Sequence, residues 1–151
     1  MNIEECKADI KRHEGEVLKI YEDSLGYKTL GIGHLCQPQD PEYTWEVGTP
    51  VTQEVVDLYF TDDFNKHYQE AAHIYGSIPS FNRLPTTIQH VLVNMCFNLG
   101  GTRLSKFKNM LKACKEGDWK QMAVEMEDSR WFNQVGGRSR ELQMLVIGVS
   151  E

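Results

Sequence analysis

The chain has 151 residues, of which 40% are hydrophobic and 25% charged, and its formal net charge is −6. This is an ordinary globular composition, and no apolar run approaches the roughly 20 residues that cross a bilayer, so we expect no stable membrane insertion. No basic stripe follows any predicted helix, and an acidic chain is not attracted to polyanions, so a nucleic-acid partner is not expected.

The N-terminal residues predict a short first helix over 2–14. Ile3, Cys6 and Ile10 follow the three-to-four spacing of a buried helix face, and Gly15 stands where a helix commonly ends. The same segment is charged from its fourth residue and has no apolar core of a secretory signal. We therefore expect synthesis in the cytoplasm, and delivery to any target outside the membrane by another component.

A β-hairpin is predicted over 17–35, with strand VLKIY, turn EDSLG and strand YKTLGIGHL. In one continuous second strand over 27–35, Thr29, Gly31 and Gly33 would share a face. Glycine inside a strand marks either a bend or a place where a ligand approaches closely. Both a sharp bend and a smooth polar floor beneath a ligand therefore stay open.

The rest of the chain predicts a loop and then helices only. Residues 36–50 contain Pro38, Pro41 and Pro50 and predict the loop. The predicted helices are a long one over 52–75 with Thr52 as its N-cap, a central buried one over 85–101, and three more over 104–115, 118–128 and 137–146. No repeat or linker interrupts them.

This order of elements predicts an α+β fold in a single domain of residues 1–151. A small N-terminal lobe, about residues 13–60, would carry the β-hairpin. The long connecting helix, 52–75, would join it to a larger all-helical C-terminal lobe, formed by residues 76–151 together with 1–12.

Two carboxyl groups near the hairpin differ in their expected surroundings. Glu14 lies four residues after Ile10 and so projects from the buried face of the first helix, where desolvation favours the protonated form. Asp23 lies in a polar turn, where solvent keeps a carboxylate ionised. Alone, each is an ordinary helix-end or turn residue. Together they fit the division between acid and base that glycosidic hydrolysis requires.

This segment resembles the catalytic segment of the bacteriophage-type lysozymes, glycoside hydrolase family 24. The family pattern is Glu-Gly at the end of the first helix, an Asp nine residues after the Glu, and a Gly-Tyr-x-Thr-x-Gly-x-Gly-His strand. Glu14-Gly15, Asp23 and residues 26–34 match this pattern without gaps. Weaker similarity continues in NMCFNLGG and SRWFNQVGGRSRE, at 94–101 and 129–141, whereas 36–50 and 76–84 have no counterpart.

The resemblance implies a lysozyme-like fold and hydrolysis of the β-1,4 bond between N-acetylmuramic acid and N-acetylglucosamine in peptidoglycan. Glu14 would be the general acid, Asp23 would hold the attacking water, and Thr29 would help to position that water. The family inverts the anomeric centre, which predicts a separation of about 6.5–9.5 Å between the two carboxyl groups.

The resemblance also implies residues that bind the glycan and residues that support the site. The substrate contacts would be Gly33, Leu35, Phe97, Asn98, Asn133 and Gln134. Arg138 would pair with Glu14, and His34 would form an ion pair of structural importance with Asp63. Among the tryptophans, Trp119 and Trp131 are expected in the core, and Trp45 is expected to be exposed, as a candidate for stacking on a sugar.

No metal ion or organic cofactor is expected, and a monomer is predicted. The four cysteines form no CxxC pair, and no histidine is grouped with them at zinc-ligand spacing. Reduced thiols in the core are the expectation for a chain made in the cytoplasm, with a disulfide left open. Access to the cell wall in the periplasm would need a membrane-pore protein or a virion.

Three other functions stay open. A lytic transglycosylase would use Glu14 alone and would need no carboxylate to hold water. A non-catalytic peptidoglycan-binding or structural component could use the same scaffold, although Glu14, Asp23 and Thr29 are all present. The third possibility is an unrelated small helical protein.

Overall fold

A computed structural model describes all residues, 1–151, and has the α+β fold predicted from the sequence. Helices make up most of the chain, and one antiparallel sheet of three strands lies near the N-terminus. None of the helices combines the length and the apolar character needed to span a bilayer.

The elements in chain order are α1 (Ile3–Glu14), β1 (Val17–Glu22), β2 (Lys28–Gly31), β3 (His34–Leu35), a 3-10 turn (Pro41–Thr44), α2 (Gln53–Tyr75), α3 (Ile78–Phe81), α4 (Thr86–Leu99), α5 (Gly101–Leu104), α6 (Lys108–Glu116), α7 (Trp119–Glu127), α8 (Arg130–Val135) and α9 (Gly137–Ser150). Their contacts divide the chain into two compact units. Residues 7–66 form the sheet unit, and residues 1–6 with 67–151 form the helical unit. The boundaries between the two units fall inside α1 and α2.

The sheet unit corrects one prediction about the second strand. The chain does not run straight over 27–35 but turns back after Gly31, so that Leu30 in β2 pairs with His34 in β3. Gly31 and Gly33 have φ values of +62° and +66°, which L residues rarely adopt. The bend left open by the sequence is therefore confirmed, and the continuous glycine floor is wrong.

The predicted loop over 36–50 packs part of its backbone against the sheet. The backbone N–H of Ile20 donates to Thr49 O at 2.9 Å, and that of Gly48 donates to Ile20 O at 2.7 Å. These bonds occupy the outer edge of β1, which would otherwise expose unpaired backbone groups. Trp45, in the same loop, is 39% exposed, as expected from the sequence.

The helical unit is built around α4, the central helix predicted from the sequence. Ten of its 14 residues are buried, including Asn94 and Cys96. Pro85 is the residue before the helix rather than its first turn, and Gly100, at φ +81°, ends it. All four cysteines are buried and none is paired in a disulfide, so the prediction that they lie in the core is confirmed.

Three details of the helical unit differ from the prediction. The helix expected from residue 104 begins only at Lys108, because residues 101–104 form the separate short helix α5. The short helices α3 and α8 were not predicted, although Ser77 and Ser129 cap their first turns. The last helix continues to Ser150 instead of ending at residue 146.

Candidate active site

Glu14 is the last residue of α1, and its half-buried carboxyl group lies against Gly33. The helix ends there because Gly15 adopts φ +76°. A Cβ atom at position 33 would lie 2.6 Å from Glu14 Oε1 and 3.2 Å from its Cδ. Glycine at 33 therefore leaves the space that the Glu14 carboxyl group occupies.

Asp23 opens the turn between β1 and β2, and its carboxylate organises that turn. Oδ1 accepts hydrogen bonds from the backbone N–H groups of Leu25 and Tyr27, both at 2.9 Å. The backbone N–H of Asp23 in turn donates to Tyr27 O at 2.9 Å. Both of these hydrogen bonds are accepted by Oδ1, so Oδ2 can interact with another group.

Tyr21 connects the two carboxyl groups electrostatically. Burial raises the pKa of Tyr21, and the charges of Glu14 and Asp23 raise it further. Glu14 and Asp23 thus both belong to the charged surroundings of Tyr21. Tyr21 was not among the predicted site residues, although the predicted hairpin would place it opposite Thr29 in the strand register.

Thr29 is only 4% exposed and lies directly opposite Tyr21 in the sheet. Its hydroxyl donates to Tyr27 O at 3.0 Å, so its oxygen can still accept a hydrogen bond.

Gly33 lies beside Glu14, and Leu35 is 44% exposed. Their roles as substrate contacts stay predictions, as does the separation of the Glu14 and Asp23 carboxyl groups.

The contact of Glu14 with Gly33 can be tested by Gly33→Ala. The new methyl group would collide with the Glu14 carboxyl group, and φ +66° would strain alanine by about 1–2 kcal/mol. We expect glycan cleavage to fall about 10- to 100-fold through displacement of the predicted general acid, Glu14. Gly48→Ala is the matched control, because φ is +94° there but nothing lies within 4 Å. Equal cleavage rates for the two variants would contradict the proposed contact.

His34 joins two carboxylates in the sheet unit. Its Nδ1 lies 2.7 Å from Asp63 Oδ2, as the resemblance implied, and its Nε2 lies 2.8 Å from Asp40 Oδ2. The ring of Tyr59 stacks on His34 with centroids 4.0 Å apart, and its hydroxyl donates to the buried Glu42 at 2.6 Å. Asp40, Glu42 and Tyr59 were not predicted. Asp40 and Glu42 lie in the loop that has no family counterpart, and Tyr59 contacts His34 only through packing.

The protonation of His34 couples this network to pH. Burial lowers the pKa of His34, but the hydrogen bonds and charges of Asp63 and Asp40 outweigh burial, so the pKa is raised. A histidine with a raised pKa in the folded state contributes its full stabilisation below the unfolded value of about 6.5. That stabilisation is lost as the pH rises through the higher, folded-state pKa.

His34→Asn is therefore expected to lower the free energy of unfolding by about 2–3 kcal/mol near pH 5, and less near pH 8. The melting temperature should fall by about 5–10 °C at the lower pH. Asp40→Asn should show the same pH dependence, since Asp40 holds the second ring nitrogen. Urea unfolding at several pH values measures both, with the exposed His73→Asn as control. A loss that does not change with pH would contradict the coupling.

The remaining predicted substrate contacts lie in the helical unit. Asn98 is half-buried, and its Oδ1 accepts a hydrogen bond of 2.7 Å from Trp131 Nε1. Trp131 is 2% exposed, which confirms its place in the core, whereas Trp119 is half-buried. Phe97 is 8% exposed. Asn133 and Gln134 are exposed on α8.

Arg138 is anchored on the central helix α4. Its Nε donates to Asn94 Oδ1 at 2.9 Å, and a terminal nitrogen donates to Asn94 O at 3.4 Å. Asn94 is completely buried, so it holds the guanidinium in a defined position. The pairing of Arg138 with Glu14 stays a prediction.

The predicted catalytic residues thus all lie in the sheet unit, together with His34, Asp63, Gly33 and Leu35. The other predicted contacts all lie in the helical unit. A cavity of about 440 Å³ in the helical unit contains none of the predicted site residues; it is lined by Lys106, Phe107, Lys108, Asn109, Met110, Glu125, Asp128 and Ser129.

The phage lysozyme family matches residues 11–147 of this chain. The match includes Glu14, Asp23 and Thr29 and extends through both units. The chain belongs to the phage lysozyme family. An unrelated small helical protein, one of the functions left open by the sequence, is therefore excluded.

Named relatives are similar at modest identity. The chain is 27% identical to probable T4-type lysozyme 2 of Dictyostelium discoideum, over 93% of this chain and 92% of that protein. It is 26% identical to an endolysin of Acyrthosiphon pisum secondary endosymbiont phage 1, over 91% and 84%. It is also 29% identical to the pre-baseplate central spike protein Gp5 of Enterobacteria phage T4, over 91% of this chain but only 27% of that longer protein.

Proposed function

We propose that this chain is a peptidoglycan hydrolase that cleaves the β-1,4 bond between N-acetylmuramic acid and N-acetylglucosamine with inversion. Family membership and the similarity to a T4-type lysozyme and an endolysin support lysozyme activity in general. The observation that carries the finer proposal is the arrangement around Tyr21. Glu14 lies half-buried against Gly33, and Asp23 is held in its turn by two backbone N–H groups. The charges of both carboxylates raise the pKa of the Tyr21 phenol.

In this mechanism Glu14 donates its proton to the leaving glycosidic oxygen as the bond to the anomeric carbon breaks. A water molecule attacks that carbon from the opposite face and transfers a proton to Asp23. Since Oδ1 of Asp23 accepts two backbone N–H groups, Oδ2 is the oxygen that receives the proton. Exchange with solvent then restores the protonated Glu14 and the ionised Asp23.

Thr29 helps to aim the attacking water. Its hydroxyl proton is donated to Tyr27 O, so toward water Thr29 acts as an acceptor. A water that donates one hydrogen to Asp23 and the other to Thr29 has a lone pair left for the anomeric carbon. A buried hydroxyl suits this position because its proton is held by Tyr27 O, so that its oxygen accepts the hydrogen bond from the water.

The same proposal includes a biological setting. The enzyme would act as a monomer on the cell wall for phage-mediated lysis, after release from the host cytoplasm through a membrane-pore protein or with a virion. At a net charge of −6 the chain gains no long-range attraction to an anionic wall, so short-range contacts with the glycan carry its binding.

Analysis of the cleavage products tests the reaction. Purified peptidoglycan is digested, the new chain ends are identified by mass spectrometry, and their first anomeric configuration is read by NMR. Reducing N-acetylmuramic acid ends that appear first as the α anomer are expected. Anhydro ends would identify a lytic transglycosylase instead. Binding to peptidoglycan without any new ends would contradict enzymatic function.

A second function is favoured by one comparison. The similarity to the spike protein Gp5 supports a role as a lysozyme domain within a phage particle. Electron microscopy of particles labelled with an antibody against this chain separates the two settings. Label on the particle supports the structural role, and label confined to the lysate supports a freely acting endolysin.

A further inference from the structure

Three potential metal ligands from two helices meet inside the helical unit. His67 and Glu70 lie one turn apart on α2, and the buried Cys96 lies on α4. His67 Nδ1 is 2.9 Å from Glu70 Oε1 and 3.9 Å from Cys96 Sγ. One ligand atom from each residue lies within 4.8 Å of the other two. None of the three belongs to the proposed catalytic group.

These distances suit a tetrahedral ion. Zn²⁺ binds nitrogen and oxygen at about 2.0–2.1 Å and thiolate sulfur at about 2.3 Å. Tetrahedral angles then separate nitrogen from oxygen by about 3.3 Å and nitrogen from sulfur by about 3.6 Å. The observed separations of 2.9 Å and 3.9 Å differ from these by a few tenths of an ångström, which small side-chain rotations supply.

Two independent observations concern the Glu70 carboxylate. A Cβ atom at Gly101 would lie 2.5 Å from Glu70 Oε2, so the space that holds the carboxylate exists because residue 101 is glycine. Oε1 of Glu70 is buried and forms no well-aligned hydrogen bond, although His67 Nδ1 lies 2.9 Å away as an ion-pair partner. A buried carboxylate oxygen that lacks a well-aligned donor is costly, and a cation bound between Glu70 and His67 would remove that cost.

We propose that His67, Glu70 and Cys96 form a binding site for Zn²⁺ or a similar borderline divalent transition-metal ion that ties α2 to α4. Imidazole, carboxylate and thiolate together favour such ions, whereas Mg²⁺ and Ca²⁺ prefer oxygen ligands alone. The metal–sulfur bond replaces the sulfur–hydrogen bond of Cys96, and the thiol proton goes to solvent. Water completes the tetrahedron.

The test is a Co²⁺ titration of the full chain in a thiol-free reductant, followed by absorption spectroscopy. One equivalent should produce a thiolate-to-cobalt charge-transfer band and the visible bands of a tetrahedral ion. Zn²⁺ should displace Co²⁺ and raise the melting temperature, and Mg²⁺ at the same concentration should not. Absence of the charge-transfer band in the wild type at saturating Co²⁺ would overturn the proposal, whatever the variants do.

Single variants assign the ligands. Cys96→Ser should abolish the charge-transfer band, and His67→Gln and Glu70→Gln should each weaken Co²⁺ binding at least about tenfold. His73→Gln, an exposed histidine on the same helix, and Cys114→Ser, a buried thiol outside the cluster, are controls that should leave the spectrum unchanged. Circular dichroism verifies folding. If His67→Gln and Glu70→Gln bind as tightly as the wild type, these two residues form an ion pair only.

Discussion

Glu14→Gln is expected to lower the rate of peptidoglycan cleavage by about 10²- to 10⁴-fold, the contribution of a general acid. Glutamine has nearly the same shape and can occupy the space against Gly33, but it has no proton of suitable acidity to give to the leaving oxygen. Clearing of permeabilised bacteria and release of reducing ends measure the rate. The melting temperature should change little.

Glu16→Gln is the matched control for this variant. Glu16 lies two residues farther along the chain, is exposed, and interacts with Lys11 at 3.6 Å and with Gln53 at 2.9 Å. Its loss removes the same charge from nearly the same place without touching the proposed acid. Cleavage by Glu14→Gln at a rate close to that of Glu16→Gln would eliminate Glu14 as the proton donor.

Asp23→Asn is expected to reduce cleavage by a similar factor, about 10²- to 10⁴-fold, with an intact fold. Asparagine keeps the oxygen that accepts the backbone N–H groups of Leu25 and Tyr27, so the turn is preserved. It cannot take a proton from the attacking water. Asp23→Ala should lose the same activity and also about 1 kcal/mol of stability, because both N–H groups lose their acceptor.

The comparison of the two Asp23 variants separates chemistry from structure. Equal activity losses with different melting temperatures are expected, whereas a loss confined to Asp23→Ala would mean that the residue only shapes the turn. Glu22→Gln, an exposed carboxylate opposite Lys28 in the strand register, controls for local charge. Near-normal cleavage by Asp23→Asn together with an inactive Glu14→Gln would favour a lytic transglycosylase.

Features that depend on neighbours in the chain were predictable from the sequence. The first helix ends at Glu14, directly before Gly15, and α2 follows Thr52, whose hydroxyl accepts the Val55 N–H at 3.3 Å. The burial of α4 followed from its apolar composition. The proposed acid and the proposed water-holding aspartate were predicted from their spacing and from the resemblance. These features involve contacts within a few residues, which sequence patterns encode directly.

Features that depend on distant residues were decided only by the tertiary structure. The strand pattern left a bend and a straight run equally open at Gly31 and Gly33. Only the structure shows the bend, and shows that a Cβ atom at these positions would meet Val56 or Glu14. The second partner of His34 comes from a loop without a family counterpart, and Tyr21 faces Thr29 through strand pairing and not through closeness in the chain.

The cluster of His67, Glu70 and Cys96 illustrates the same limit. Its histidine and cysteine lie 29 residues apart, on different helices, so the spacing of ligand residues in the sequence does not indicate that they meet. Local propensity determines where helices and turns begin and end, because it acts through adjacent residues. Which side chains then meet depends on how those elements pack, and that packing decided both the surroundings of Glu14 and the proposed metal site.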